Sequence, residues 1–195
     1  MAELDTTTVL ARAWPDASSL VRPGLGILLE QGVGIGKFQV AGVDPGTIFR
    51  RLTGFEPPPA CEQIDRNGLL FAWLSPNEWL VTGPEHRVAA MLSQIDERGA
   101  DDVLAVDLTH ARAPFIVNGT QARDALASLC PLDLWSKAFP VNAVARSLLG
   151  DVGMFIARLP DLTDVARFRV IVDQTMAAYA ARMLAGPQPR PGNDT

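Results

Sequence analysis

Histidine, cysteine and tyrosine are nearly missing from this chain of 195 residues, which holds two, two and one of them. Cys61 and Cys130 stand far apart, without a C-x-x-C motif or a histidine at ligand spacing, so neither a disulfide framework nor a redox motif is implied. Both are expected as small buried hydrophobes. With only His86 and His110 to add, no zinc set can be assembled, and no metal ligand is assigned. Any imidazole-based mechanism would have to use one of these two histidines. Asp107 and His110 lie three apart around Thr109, but a catalytic triad is defined by geometry, and a local Asp-x-x-His at a strand end does not make one. His86 falls in the first turn of a polar helix face and is expected to be solvated.

Charge of one sign is also lacking. The 17 basic and 22 acidic residues give a net charge of -5, and no basic run exists to follow a phosphate backbone, which excludes a nucleic-acid footprint. No window of roughly 18 apolar residues occurs, which argues against a spanning helix. The start, "MAELDTTTVLARAWPDASSL", has no basic segment leading into an unbroken apolar one, so a cytoplasmic protein is expected.

What is present is a folded composition, 48% hydrophobic and 20% charged, in a length that suits one sizeable core or two lobes sharing an interface. Residues 1–24 read as an N-terminal arm. Residues 25–185 read as one α+β domain able to divide into two lobes, and 186–195 as a flexible, proline-rich tail. "FQVAG" (38–42) predicts a strand. Asp44 then caps a helix with Pro45 at its first position and Ile48, Phe49 and Leu52 as its buried stripe. "FEPPPACEQ" (55–63) must be a connection. "LLFAWL", the turn "SPN" and "EWLVTG" predict a hairpin, and residues 85–98 a helix that buries Val88, Met91, Leu92 and Ile95. "VLAVDL" and "APFIVNG" are expected to form a second strand pair, with a helix over 121–129. "AVARSLLG", "VGMFIARL" and "FRVIVD" supply three further strands. A closing helix over 174–185 is expected to present Met176, Tyr179, Ala180 and Met183.

Three joints repeat one pattern, "VAGVD" at 40–44, "VTGPE" at 81–85 and "VNGTQ" at 117–121. Each carries a strand into a helix, with glycine where a side chain would obstruct the turn. Such strand–helix units linked by hairpins point to an α+β fold of ferredoxin-like units with antiparallel sheets.

"GVGIGK" (32–37) imitates a dinucleotide fingerprint, whose glycines must lie between a strand and a helix. Here a strand-like segment follows, so the stretch is read as a glycine-rich connection between strands and no cofactor-binding residue is assigned. Glu78 beside Trp79 has the makings of a general base in an apolar pocket, but no second functional group lies nearby, and a water-facing carboxylate at the hairpin turn is the favoured reading. No catalytic residue is assigned. The hairpin is more informative. Leu69, Phe71 and Trp73 alternate with Leu70, Ala72 and Leu74, so both faces of this strand are apolar and both must be covered, one by helices, the other by a second lobe or a different protein. Internal burial is the favoured reading. Trp73 and Trp79 are nonetheless candidate interface anchors.

In order and spacing, "LSPNEWLVTGP", "VDLTHARAPFIVNGTQARDALASLCPLDL" and "FRVIVDQTMAAYAARML" resemble the gamma subunit of heterotetrameric sarcosine oxidase, over roughly residues 25–185. The most specific pieces are Pro76–Leu80 and Cys130–Leu134, linked by the glycine and short helix of Gly119–Leu129. The resemblance implies a fold like the folate-binding lobe of aminomethyltransferases and an accessory role in a four-chain flavoenzyme. In that family the alpha subunit binds NAD and has an aminomethyltransferase-like part, the beta subunit holds FAD, FMN lies between them, and the delta subunit carries zinc. The complex oxidatively demethylates sarcosine or a related N-methyl amino acid and passes the one-carbon unit to tetrahydrofolate. It assigns no cofactor or catalytic residue to the gamma chain. The Lys-Gly-Cys signature of the related iron–sulfur maintenance protein has no counterpart here, and 195 residues cannot hold a full aminomethyltransferase. A non-catalytic assembly subunit is therefore expected, its rival being a stand-alone folate-binding or one-carbon-transfer protein that uses a concave face as its pocket.

Overall fold

The computed structural model describes residues 19–99 and 102–186. Among these, eleven strands form two antiparallel sheets. The first runs β4 (Gln63–Arg66), β5 (Leu69–Ser75), β6 (Glu78–Pro84), β3 (Val33–Val40), β7 (Val103–Asp107). Helices α1 (Pro45–Thr53) and α2 (Glu85–Gly99) cover its outer face. The second runs β1 (Ser19–Arg22), β2 (Leu25–Leu29), β8 (Arg112–Asn118), β11 (Val165–Asp173), β10 (Val152–Leu162), β9 (Val144–Leu149), under α3 (Ala122–Ala127) and α4 (Ala177–Ala185). Inner faces pack on each other through Ile35, Ala72, Leu74 and Leu80 against Val144, Phe155, Ala157 and Ile171. The layers run helix, sheet, sheet, helix.

Both sheets obey one plan. Strand β3, α1, the hairpin β5–β6, α2 and β7 give the order β7-β3-β6-β5, the ferredoxin-like arrangement, with β4 added at the edge. Strand β8, α3, the hairpin β10–β11 and α4 repeat it with β9 at the edge, but the fourth strand, β2, comes from ahead of both units in the chain. All three glycine joints lead from strand to helix as expected. At Gly119, φ is +123° and a Cβ would meet the Gly24 carbonyl, so the repeated glycine is required there.

Asp44 Oδ1 accepts from Thr47 N at 3.1 Å, and α1 buries Phe49 and Leu52 with Ile48 packed alongside. The hairpin turns at Pro76–Asn77, and both faces of β5 are covered as its doubly apolar pattern requires. Leu69 and Phe71 lie under the helices, Ala72 and Leu74 against the second sheet of the same chain.

Several expectations are corrected. "GVGIGK" is not a connection, since Val33–Lys37 is the first half of β3. Its glycines let α2 lie close: a Cβ on Gly34 would sit 2.8 Å from Val88 Cβ, and one on Gly36 2.7 Å from Leu92 Cδ1. Strands β7 and β8 are not partners. The half-exposed β7 closes the edge of the first sheet against β3, while β8, buried along both faces, is central in the second between β2 and β11. The closing helix begins at Ala177 after a 3-10 turn, and its buried face is Ala177, Ala180, Ala181 and Leu184. Met176, in the 3-10 turn, and Tyr179, off the alanine face of the helix, are 37% and 38% exposed. Cys61 is exposed on a left-handed turn (φ 61°), and only Cys130 is a buried hydrophobe. The expected N-terminal arm falls outside the described residues up to position 18, and Ser19–Arg22 is an edge strand. Of the expected tail only Gly186 is described.

Candidate functional site

A cleft of about 750 Å³ opens between the inner faces of the two sheets. Alternation along the strands builds it. On β3 the outward Phe38 enters the helix-side core, so its neighbour Lys37 points between the sheets. The same alternation brings Leu74, Glu78 and Leu80 from β5 and β6, Val106 from β7, and Arg146, Phe155 and Ile171 from the second sheet. Gly153 adds depth, since a Cβ there would meet nothing within 4 Å.

The cleft therefore has an apolar floor and an ionic rim. Glu78 accepts from Lys37 Nζ at 2.7 Å through Oε1 and lies 3.4 Å from Arg146 Nη1 through Oε2, which ties the sheets across the rim. Arg112 Nη1 meets Asp173 Oδ2 at 2.6 Å. Asp173 also accepts from the hydroxyl and backbone N–H of Thr175, and these bonds, helped by Arg112, hold its carboxyl below the usual range. Beyond the cleft, Arg169 clamps the sheets. Its Nε and Nη2 donate to the two Glu30 oxygens at 2.6 and 2.8 Å, and its Nη1 donates to Thr82 Oγ1 at 3.0 Å.

Glu78, read from the sequence as water-facing, is only 13% exposed at its side chain and spent on two cations, so its carboxylate is not free to act as a base. Asp107 and His110 are not brought together. Asp107 Oδ1 accepts from Thr109 N at 2.8 Å, while His110 is 59% exposed and 4.0 Å from Glu85. His86 is exposed. Ser147, at the cleft wall, has its hydroxyl turned toward the Cys130 thiol. No group of three metal-ligating side chains occurs among the described residues.

The two tryptophans separate. Trp79 is 1% exposed and stacks in the chain's own core, its ring 5.4 Å from Phe38 and 4.8 Å from Phe49. It cannot anchor a partner without unpacking that core. Trp73, opposite it in the register, is half-buried. The sequence reading passed over Lys37, Arg112, Arg146 and Arg169. A signal was available for Lys37 and Arg146: each is the one charge in its strand and needs a partner, and both find it in Glu78.

The sequence matches no family model and no curated protein. Among solved structures, the fold is similar to a chain of the heterotetrameric sarcosine oxidase from Corynebacterium sp. U-96, in complex with pyrrole 2-carboxylate. The TM-score is 0.77 at 20% identity, over 93% of this chain and 92% of that one. It is also similar to the glycine cleavage system aminomethyltransferase T from Bartonella henselae, with TM-score 0.64 and 13% identity over 85% of this chain. The match spans only 46% of that enzyme's chain. What these chains share at such identities is the fold, the α+β arrangement of antiparallel sheets expected from the sequence.

Proposed function

We propose that this protein is a non-catalytic accessory subunit, gamma-like, of a sarcosine-oxidase-like flavoenzyme complex that oxidatively demethylates an N-methyl amino acid. The observation that carries the reading is the two-way coverage: the chain corresponds to nearly the whole of one chain of a heterotetrameric sarcosine oxidase, but to less than half of an aminomethyltransferase. The site chemistry supports it. Of the six charged side chains that line the cleft, five are engaged with one another, in the set Lys37–Glu78–Arg146 and the pair Arg112–Asp173. NAD, FAD, FMN, tetrahydrofolate and zinc then belong to the alpha, beta and delta partners. The 750 Å³ cleft favours a second reading, a folate-binding protein of one-carbon metabolism.

One experiment separates them. The tagged chain is purified from its host, its partners identified, and the isolated chain titrated with tetrahydrofolate. Co-isolation with two large subunits carrying flavin absorbance is expected, without saturable folate binding by the chain alone. Recovery of a solitary chain that binds tetrahydrofolate at micromolar concentration would replace the first reading with the second.

A further inference from the structure

We propose that a second pocket, on the helix-covered side of the first sheet, binds a small oxyanion attached to an aromatic or branched apolar body. It lies between the β4–β5 turn, the end of α1 and one face of α2, and encloses about 330 Å³. That volume suits a body of one or two fused rings with a headgroup and is too small for a dinucleotide.

The floor is aromatic. Phe55 and Phe71 meet edge to face with centroids 4.9 Å apart, and Met91 closes one side. Two guanidinium groups line its mouth. Arg66 lies 5.4 Å above the Phe55 centroid and donates only to the neighbouring Asp65 carbonyl. Arg87 reaches the turn, its Nη1 3.2 Å from where a Cβ on Gly68 would be. Neither has an ion pair among the described residues, and no carboxylate is among the lining side chains, although the chain's net charge is -5. The nearest acid in sequence, Asp65, faces the other side of the sheet. Ile64 and its cross-strand partner Phe71 are on the helix side, and Asp65 is the next residue along, with Oδ1 bonded to Gly68 N at 2.9 Å. Two unpaired guanidinium forks match a carboxylate or phosphate, and a ring stacked on the phenylalanines would sit beside them.

The second unit shows that the fold does not need this opening. At the equivalent place, under α4 at the β9–β10 turn, Met183 fills the space where a Cβ on Gly150 would be. One unit is closed there by a thioether, while the other is left open, aromatic and cationic. The proposal is independent of the assembly reading.

The test is calorimetric titration of the full chain with 1-naphthoate, 1-naphthyl phosphate and uncharged 1-naphthol. Saturable 1:1 binding of at least one anion is expected, and naphthol should not saturate. Whichever anion binds tighter identifies the headgroup as carboxylate or phosphate. Arg66→Gln and Arg87→Gln should each weaken binding by about tenfold or more. Arg51→Gln, an exposed cation on α1 away from the pocket, should leave it unchanged. Ala90→Trp should abolish binding with both charges intact, and circular dichroism melts verify that each variant is folded. If the folded wild type saturates with neither anion, or if neither arginine variant nor Ala90→Trp weakens binding, the proposal is wrong.

Discussion

Two units built on one strand plan are packed differently beneath their helices. Over the centre of the first, rings do the packing: Trp79, Phe38 and Phe49 lie with centroids 4.8–5.7 Å apart, and Phe55 and Phe71 extend the cluster. Over the centre of the second, the core is largely aliphatic and Phe168 has two cations beside it, the Arg123 and Arg158 guanidinium carbons lying 5.6 and 5.2 Å from its centroid. The difference follows the helices. The nine-residue α1 delivers Phe49 onto its sheet, whereas α3 has only six residues, and the chain beyond it is pinned by Arg123 donating to the Leu134 carbonyl. The topology fixes where the central strands lie and leaves open whether rings or long cationic side chains occupy the space above them.

The comparison is broken most severely at its aromatic centre. Trp79→Ala should cost the isolated chain about 3–5 kcal/mol, because a buried ring packed on Phe38 of β3 and Phe49 of α1 leaves a cavity that local collapse does not fill. For a chain of this size that is a fall in Tm of about 6–20 °C. Thermal melts of the purified variant check this. A near-normal Tm would restore Trp79 as a surface anchor and overturn its assignment to the core.

The helices sharpen the contrast. Close approach is achieved by glycines on the strand in the first unit (Gly34 and Gly36 under α2) and by alanines on the helix in the second (Ala177, Ala180 and Ala181). Gly36→Val should therefore destabilise by about 1–3 kcal/mol through overpacking against Leu92. In the double variant with Leu92→Ala the two costs should fail to add, with a coupling of at least about 0.5 kcal/mol. Strict additivity in denaturant titrations would show that Leu92 is not what Gly36 accommodates.

In the second unit the cation is the test. Arg158 is 2% exposed and donates to the carbonyls of Leu159 and Arg167 and to Asp161, which is itself half in water. Arg158→Met keeps the apolar stem over Phe168 but leaves those carbonyls unpartnered, so a loss of about 1–2 kcal/mol is expected. A stability gain would mean that burying this charge costs more than its hydrogen bonds return.

These contrasts also explain what could be read in the sequence. The doubly apolar "LLFAWL" announced a strand covered on both faces, and the glycine joints announced the repeated units, because both signals are local. Strand partners were not legible. "VLAVDL" and "APFIVNG" are close enough in sequence to suggest a hairpin, yet the competing partners β3, β2 and β11 claim them for different sheets. The glycines of "GVGIGK" were read as a loop because their reason, the approach of α2, lies some fifty residues on. The cleft was hidden for the same cause: Lys37, Glu78 and Arg146 meet only once both sheets are in place.

The smallest expected effect concerns the helix joints, where both units use an aspartate whose carboxyl is held below its usual range. Asp44 is held by the bonds of Thr47, and Asp173 by those of Thr175 with Arg112 in support. A carboxylate whose pKa is depressed in the folded state contributes stability above its unfolded value of about 3.9, and loses it as pH falls through the folded value. Asp173→Asn keeps an amide oxygen that can still accept from Thr175 but removes the charge facing Arg112. The wild type should therefore be the more stable at pH 7. Because Asp173 is half exposed and solvent screens the pair, the advantage should be no more than about 1 kcal/mol. The gap between the two proteins should hold above the unfolded value and close below it, as pH falls through the lowered native value and the carboxyl is protonated. It should also narrow in 1 M salt, where the Debye length is about 3 Å. Parallel denaturant titrations of the two proteins across pH 2–7 measure it. A gap that persisted unchanged at the acid end would show that the Asn variant fails by geometry, and that charge at this joint is not what stabilises it.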